Sequence, residues 1–438
     1  MNLRTLAFLP LFATLMLGGV ATASAAPDVT NPFAELAAGS EPSHILVDAS
    51  GDIFTLNTGN ESISKLHPDG TFDAIFHAEL PSFSQPNALA SDRHGGLYVS
   101  SYLSSTVWRI DDRTGDIDAA FSSHLGTQLD GQLPQSVTVD VFGTVFVVTH
   151  SPEAVVRIAP TGDVVARYPL ATGSGPVDIT SDFSGSVYTA NAADSTVSRI
   201  DFDGAGTASV ALRYAELGSG AMPISIVADG HGMLYTANSG DNTVSGVNLL
   251  LPAGSAAATT TLMPPDSYPY NVTADARGDV FVTNLGTASF AMFEPGGRFT
   301  PVVAQLSSDE TPEAAAVSAT GQLYTANALS STVSRFGLSP ASASTGAADA
   351  RVGEAYSAAL AVTGLDPMAF AVIGSLPPGL TMDPATGALS GTPTTVGAFT
   401  FAVTATNAVG ATSRSVTITV EPAPGSTGCW YWHEACGF

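Results

Sequence analysis

Apolar residues fall in short runs separated by clusters of Gly, Asp, Asn and Ser, and the whole pattern recurs along the chain. Pro42, Pro86, Pro134, Pro176, Pro223, Pro269 and Pro312 open seven copies, spaced 44, 48, 42, 47, 46 and 43 residues apart. Six residues on stands Asp48, Asp92, Asp140, Asp182, Asp229, Asp275 or Ser318. Nine residues on there is always glycine, from Gly51 to Gly321, and twelve on always Phe or Tyr, from Phe54 to Tyr324. Fifteen on come Asn57, Asn191, Asn238, Asn284 and Asn327, with Ser101 and Thr149 in the other two copies. Twenty-one on, Ile63, Val107, Val155, Val197, Val244, Phe290 and Val333 complete the template. A period of this length is the signature of a repeat architecture.

Each copy reads as four strands. Phrases such as Leu234-Tyr235-Thr236-Ala237-Asn238 and Thr196-Val197-Ser198-Arg199-Ile200 are rich in β-branched and aromatic residues, and no copy shows a sustained helical period. Proline opens the first strand, where a missing N–H costs no ladder bond. Asp-x-x-Gly is a tight turn, because Asp bonds the backbone ahead of it and Gly accepts positive φ. The recurring Asn is read the same way, as a turn residue that ends a strand. Outer strands are expected at places such as Val164 to Pro169 and Phe299 to Leu306. Four strands in each of seven copies describe an all-β, seven-bladed β-propeller over residues 27–340. Such a ring keeps two open edges unless its last blade borrows a strand from the start of the chain. Residues near 31–38, which include Asn31-Pro32-Phe33-Ala34-Glu35-Leu36, are expected to supply it.

Past the last copy, residues 341–350 lie in a stretch rich in Ser, Ala and Gly and read as a linker. Over 351–421, alternation at Phe399, Phe401 and Val403, then at Val416, Ile418 and Val420, predicts an immunoglobulin-like β-sandwich. Residues 422–438 form a tail that ends Cys429-Trp430-Tyr431-Trp432-His433-Glu434-Ala435-Cys436.

Composition narrows the function classes. The chain has 438 residues, 39 acidic and 14 basic side chains, and a net charge of −25. Lys65 is its only lysine, so no basic surface can neutralise nucleic-acid phosphates, and a nucleic-acid partner is excluded. Arg4, the apolar run Leu6 to Val20 and the small residues of Ala21 to Ala25 read as a signal peptide over 1–26. No later apolar segment is long enough to span a bilayer, so a secreted, periplasmic or cell-surface product is expected. In an oxidising compartment the only two cysteines, Cys429 and Cys436, are expected to form a disulfide, with Cys429, His433 and Cys436 as a zinc set the weaker option.

The phrase Pro-x5-Asp-x2-Gly-x-(Leu/Val)-(Tyr/Phe)-x2-Asn followed by Thr-Val-x-Arg resembles the NHL-type and YVTN-type propeller repeats. It is more loosely similar to the virginiamycin B lyase and gluconolactonase (regucalcin-like) families. The segment around Leu376-Pro377-Pro378-Gly379-Leu380-Thr381 and Thr386-Gly387-Ala388-Leu389-Ser390-Gly391-Thr392-Pro393 is similar to the cadherin-like, putative-Ig modules of bacterial surface and secreted proteins. These propeller families share a repeat and not a chemistry. The gluconolactonase resemblance implies a divalent ion, Ca²⁺ or Mg²⁺, held by Glu41, Asn87 and Asp178, although the family's Glu-Gly-Pro and Pro-Asn-Gly contexts are absent. No paired His and Glu in equivalent loops matches the lyases.

Loops before the first strand and between the second and third open on one face of a propeller. That places His44, Gln135, His150, Asn271 and Glu313 on the rim of a central pore. The reading favoured by these residues is an exported, monomeric, non-enzymatic binding or scaffold protein that holds a protein or small-molecule ligand on a propeller face. The alternatives are a divalent-metal lactonase or hydrolase, and cell-surface adhesion through the Ig-like module and tail.

Overall fold

A computed structural model describes residues 28–203, 207–251, 257–295, 297–342, 349–359, 362–365, 368–407 and 409–423. The expected signal peptide, Cys429 and Cys436 lie outside them. The seven copies form seven antiparallel sheets in chain order, each starting on its anchor proline. In blade one the strands are Pro42–Val47, Ile53–Asn57, Ser62–Leu66 and Ala78–Glu79. The first is innermost and the last outermost.

Asp28–Glu35 closes the ring as the outer strand of blade seven, three residues earlier than the expected start at 31. It pairs from Asp28 opposite Gly337 to Glu35 opposite Thr332, with a bulge between Thr30 and Ala34. Within that bulge Asn31 accepts from Ser334 Oγ at 2.8 Å and donates to Glu310 at 2.7 Å, so the strand is pinned by side chains where its ladder breaks.

One blade departs from four strands. Blade two has three, and the helix Ala119–Leu129 stands where its outer strand would be. Asp118 caps it by accepting the Phe121 N–H at 3.0 Å, and Phe121, Leu125 and Leu129, one turn apart, are buried. This spacing is a helical signal inside the longest repeat interval, and it corrects the expectation of four strands throughout.

The apolar core lies between blades. Phe54, Ile63 and Phe76 of blade one pack with Leu97 and Val99 of blade two, and equivalent clusters recur around the ring. Each turn Asp accepts backbone N–H groups two and four residues ahead, as Asp229 does from His231 at 2.7 Å and Met233 at 2.9 Å. The glycine at +9 has positive φ in all seven copies, from +75° at Gly321 to +105° at Gly95.

The Asn at +15 works differently from the turn residue expected. It is fully buried at the end of the second strand, without positive φ, and in four of the five copies its side chain ties three strand positions together, Asn284 bonding Ser289 alone. Asn238 Oδ1 accepts from Thr236 at 2.9 Å, while Nδ2 donates to Thr243 at 3.0 Å and Ser245 at 2.8 Å. Asn57, Asn191 and Asn327 make the same set of bonds. The left-handed residue lies four positions later, at Glu61, Ser105, Ser195, Asn242, Ala288 and Ser331.

Beyond blade seven, the sandwich pairs Gly397–Thr406 with Ala411–Glu421 as its longest hairpin. The segment read as a linker carries strand at both ends. Ala341–Ser342 pairs with Val362–Thr363, and Ala350–Arg351 runs parallel to Val420–Glu421. The module is docked: Leu338, Leu365 and Val409 share one apolar cluster with Phe290 of blade six and Phe336 of blade seven. Asn407 Nδ2 donates to the Leu338 carbonyl at 2.7 Å and the Leu365 carbonyl at 2.9 Å, and its Oδ1 accepts the N–H groups of Val409 and Gly410.

Two outcomes follow for stability. Asn238→Ala strands buried hydroxyls on two strands and should cost about 2–3 kcal/mol in urea denaturation, whereas exposed Asn60→Ala should cost well under about 1 kcal/mol. Asn407→Ala should cost about 1–3 kcal/mol and, in calorimetry, separate the unfolding of the sandwich from that of the propeller.

Candidate functional site: the channel and the upper face

The inner strands line the propeller axis. Each is bulged directly after its proline, because the ladder slips between the anchor and the residue two further on, as between Pro176 and Asp178. The residues at +2 are His44, Ala88, Ser136, Asp178, Ser225, Asn271 and Ala314.

From blade three to blade seven these side chains form a connected run. Ser136 donates to Asp178 Oδ1 at 2.8 Å, and Asp178 Oδ2 accepts the Ile226 N–H of blade five at 2.9 Å. Ser225 Oγ accepts the Val272 N–H at 3.3 Å, and Asn271 Oδ1 accepts the Ala315 N–H at 3.3 Å. Asp178, Ser225 and Asn271 thus each satisfy a backbone donor on the next inner strand, where no sheet ladder reaches. Burial raises the Asp178 pKa, against the hydrogen bonds that favour its charged form.

The run stops at Ala314, His44 and Ala88. His44 Nδ1 lies 3.3 Å from Ser43 Oγ, and burial pushes the imidazole pKa down to about 4. At +1, the Glu313 pKa is raised by burial and then by the charge of Glu41, and the Tyr270 pKa by burial and then by Glu313. Asn87 donates to Gln135 at 3.2 Å across the gap between blades two and three.

The structure therefore brings Glu41, Glu313 and Tyr270 within electrostatic reach, and pairs Asn87 with Gln135. Asp178 accepts protein donors at both of its oxygens, and Asn87 is tied to Gln135 through its Nδ2. Glu41 is exposed at φ +47°, its Cβ and Cγ packed over Gly59. His150 is exposed at a strand end. Among the described residues, no group of three or more His, Cys, Asp or Glu is placed to hold a metal ion.

The upper loops are tied by the residue at +19, a role the sequence pattern did not reveal. Glu61 accepts the N–H groups of Phe83 at 2.8 Å and Gln85 at 3.1 Å, and Glu153 accepts those of Gly173 at 2.6 Å and Gly175 at 2.9 Å. Asn242 does the same for Tyr268 at 3.0 Å. Ser195, also at +19, accepts the Met222 N–H at 3.4 Å, so the readable signal is a side-chain oxygen at +19.

Residues 338–421 match the family model described as putative Ig domain. No curated protein sequence matches the chain. Among solved structures, a streptogramin B lyase is similar at 15% identity and TM-score 0.59, covering 71% of this chain and 97% of that one. Virginiamycin B lyase from Staphylococcus aureus is similar at 16% identity and TM-score 0.58, covering 71% and 99%. The WD40 repeats of RRP9 are similar at 11% identity and TM-score 0.57, covering 71% and 98%. At these identities the likeness shows the fold alone, a β-propeller, and the family match adds the Ig-like module that follows it.

The His44 imidazole gives a pH test. Its folded pKa lies below the ordinary value, so as pH falls from about 6.5 toward about 4 the unfolded chain takes up a proton that the folded chain refuses, and stability is lost. Relative to His44→Asn, the wild type should lose up to about 3 kcal/mol more across that window in denaturant titrations, and none between pH 7 and 8.

Proposed function

We propose that the chain is an exported, non-enzymatic binding or scaffold protein that holds a partner on its propeller face, with the Ig-like module fixed beside blades six and seven. The observation that carries this reading is how the channel uses its polar groups. Ser136, Asp178, Ser225 and Asn271 stitch neighbouring inner strands together, which is the work of a rigid scaffold. The docked module adds rigidity through Asn407 and the shared cluster at Phe336. The leader-like pattern from Arg4 to Ala25 supports export. The partner is met by loops on a fixed frame, the usual division of labour between scaffold and recognition surface.

A metal-dependent hydrolase built on Glu41, Asn87 and Asp178 would be stabilised by its ion through mass action. Purified protein should show no change in thermal midpoint with Ca²⁺, Mg²⁺, Mn²⁺ or Zn²⁺. A rise of several degrees that Asn87→Ala abolishes would overturn the scaffold reading.

A further inference from the structure

Unpaired buried polar groups gather in blade six. Among the described residues, seven buried side-chain N or O atoms find no hydrogen-bond partner, and four of them are Ser267 Oγ, Asp279 Oδ2, Thr283 Oγ1 and Asn284 Oδ1. Three of these residues lie on the second strand of the blade, Val280–Asn284, or directly before it, and Ser267 lies in the upper loop that enters the blade.

The repeat template shows how the deficit at Asn284 arose. In blades one, four, five and seven a Thr at +13 donates to the Asn Oδ1 and a Ser at +22 accepts from its Nδ2, as Thr236 and Ser245 do for Asn238. Blade six has Val282 and Ala291 at those places, so its Asn keeps one bond, to Ser289 at 3.2 Å. Blades two and three avoid the problem with smaller side chains that reach carbonyls. Ser101 donates to Ser84 at 2.7 Å and Thr149 to Pro152 at 2.7 Å. Asp279 adds a buried carboxylate whose Oδ2 has the Arg277 Nε 3.6 Å away, beyond hydrogen-bond reach. Buried polar groups left in this state weaken the element that carries them.

The Ig-like module reaches this same blade. Leu365 and Val409 enter the apolar cluster that holds Phe281, Phe290 and Met292. The Arg277 Nη1 lies 3.9 Å from where a Cβ on Gly410 would stand, so the loop that Asn407 clips is set against the Asp-x-x-Gly turn at the lower end of blade six. Blade seven, which the module also meets, keeps its clip intact at Asn327.

We infer that the Ig-like module is a brace for blade six: its docking holds from outside a blade whose internal clip is broken, and undocking releases that blade ahead of the rest of the ring. The inference goes beyond the binding reading and does not depend on it. The unpartnered atoms run from the lower turn at Asp279 to the upper loop at Ser267, so the brace links the module's position to both ends of the blade.

Hydrogen exchange of the full chain, read by mass spectrometry, tests it. Asn407→Ala and Val409→Ser each weaken the dock, and its opening is read at Leu365, whose N–H is donated to the Leu338 carbonyl at 2.9 Å. With either variant, peptides spanning 280–293 should exchange about tenfold faster or more, and those spanning 233–248 of blade five at the wild-type rate. Val282→Thr with Ala291→Ser rebuilds the clip on the blade-five pattern. In that background the same two variants should speed exchange over 280–293 by less than about threefold, and Val282→Thr alone should give part of the same protection. Unchanged exchange over 280–293 once Leu365 is exposed, equal acceleration in blade five, or a rebuilt clip that leaves blade six as sensitive as before would each overturn the inference. So would a dock that neither variant opens at Leu365, because the hold on blade six would then lie elsewhere. A metal-induced thermal shift bears on the scaffold reading alone.

Discussion

A closed ring of sheets has to satisfy backbone and side-chain polar groups at its narrow inner end, where little water reaches and neighbouring sheets share no ladder. The structure meets this constraint in two layers. Inside blades one, four, five and seven, the buried Asn at the end of the second strand gathers hydroxyls from its own strand and the third. From blade four to blade seven, Asp178, Ser225 and Asn271, each two residues past its proline, accept an N–H from the next inner strand. An unmet polar group at either layer would cost more than a typical hydrogen bond returns, so these positions hold the blades at fixed spacing. The apolar clusters between blades can pack only on that frame.

The repeat template was legible because each of its residues answers to a local rule. Proline starts an inner strand, Asp and Gly make a turn, an aromatic fills the space between blades, and the same need recurs seven times. Ring closure was legible from topology, since an unpaired edge demanded a strand and only the start of the chain could offer one. The helix of blade two was missed because the four-strand template was carried over it, although Phe121, Leu125 and Leu129 mark a helical face. The docking of the Ig-like module was missed because Leu338, Leu365 and Val409 are single apolar residues in turn-rich segments, whose meeting depends on tertiary structure.

The candidate site was less readable than the fold, and for a physical reason. Polar residue types that bind ligands are also those that satisfy backbone groups, so Asp178 and Asn271 could be placed at the channel but their work could not be told from their identity. The Asn at +15 shows the same limit. Its structural role was recognised from repetition, yet its means, a buried clip in place of a left-handed turn, needed the geometry.

Repetition offers a sharper guide to function when it is broken. Where all copies agree, the residue serves the common architecture; where one copy departs at a cost to itself, the departure needs another cause. His44 stands in the channel where Ala88 and Ala314 serve its neighbours, and burial disfavours its charge. Phe83 stands in a left-handed position that four other copies give to glycine. The two differ in what surrounds them. His44 lies partly buried on an inner strand, its Nδ1 beside Ser43 Oγ. Phe83 is 85% exposed in its left-handed position, so packing does not account for it.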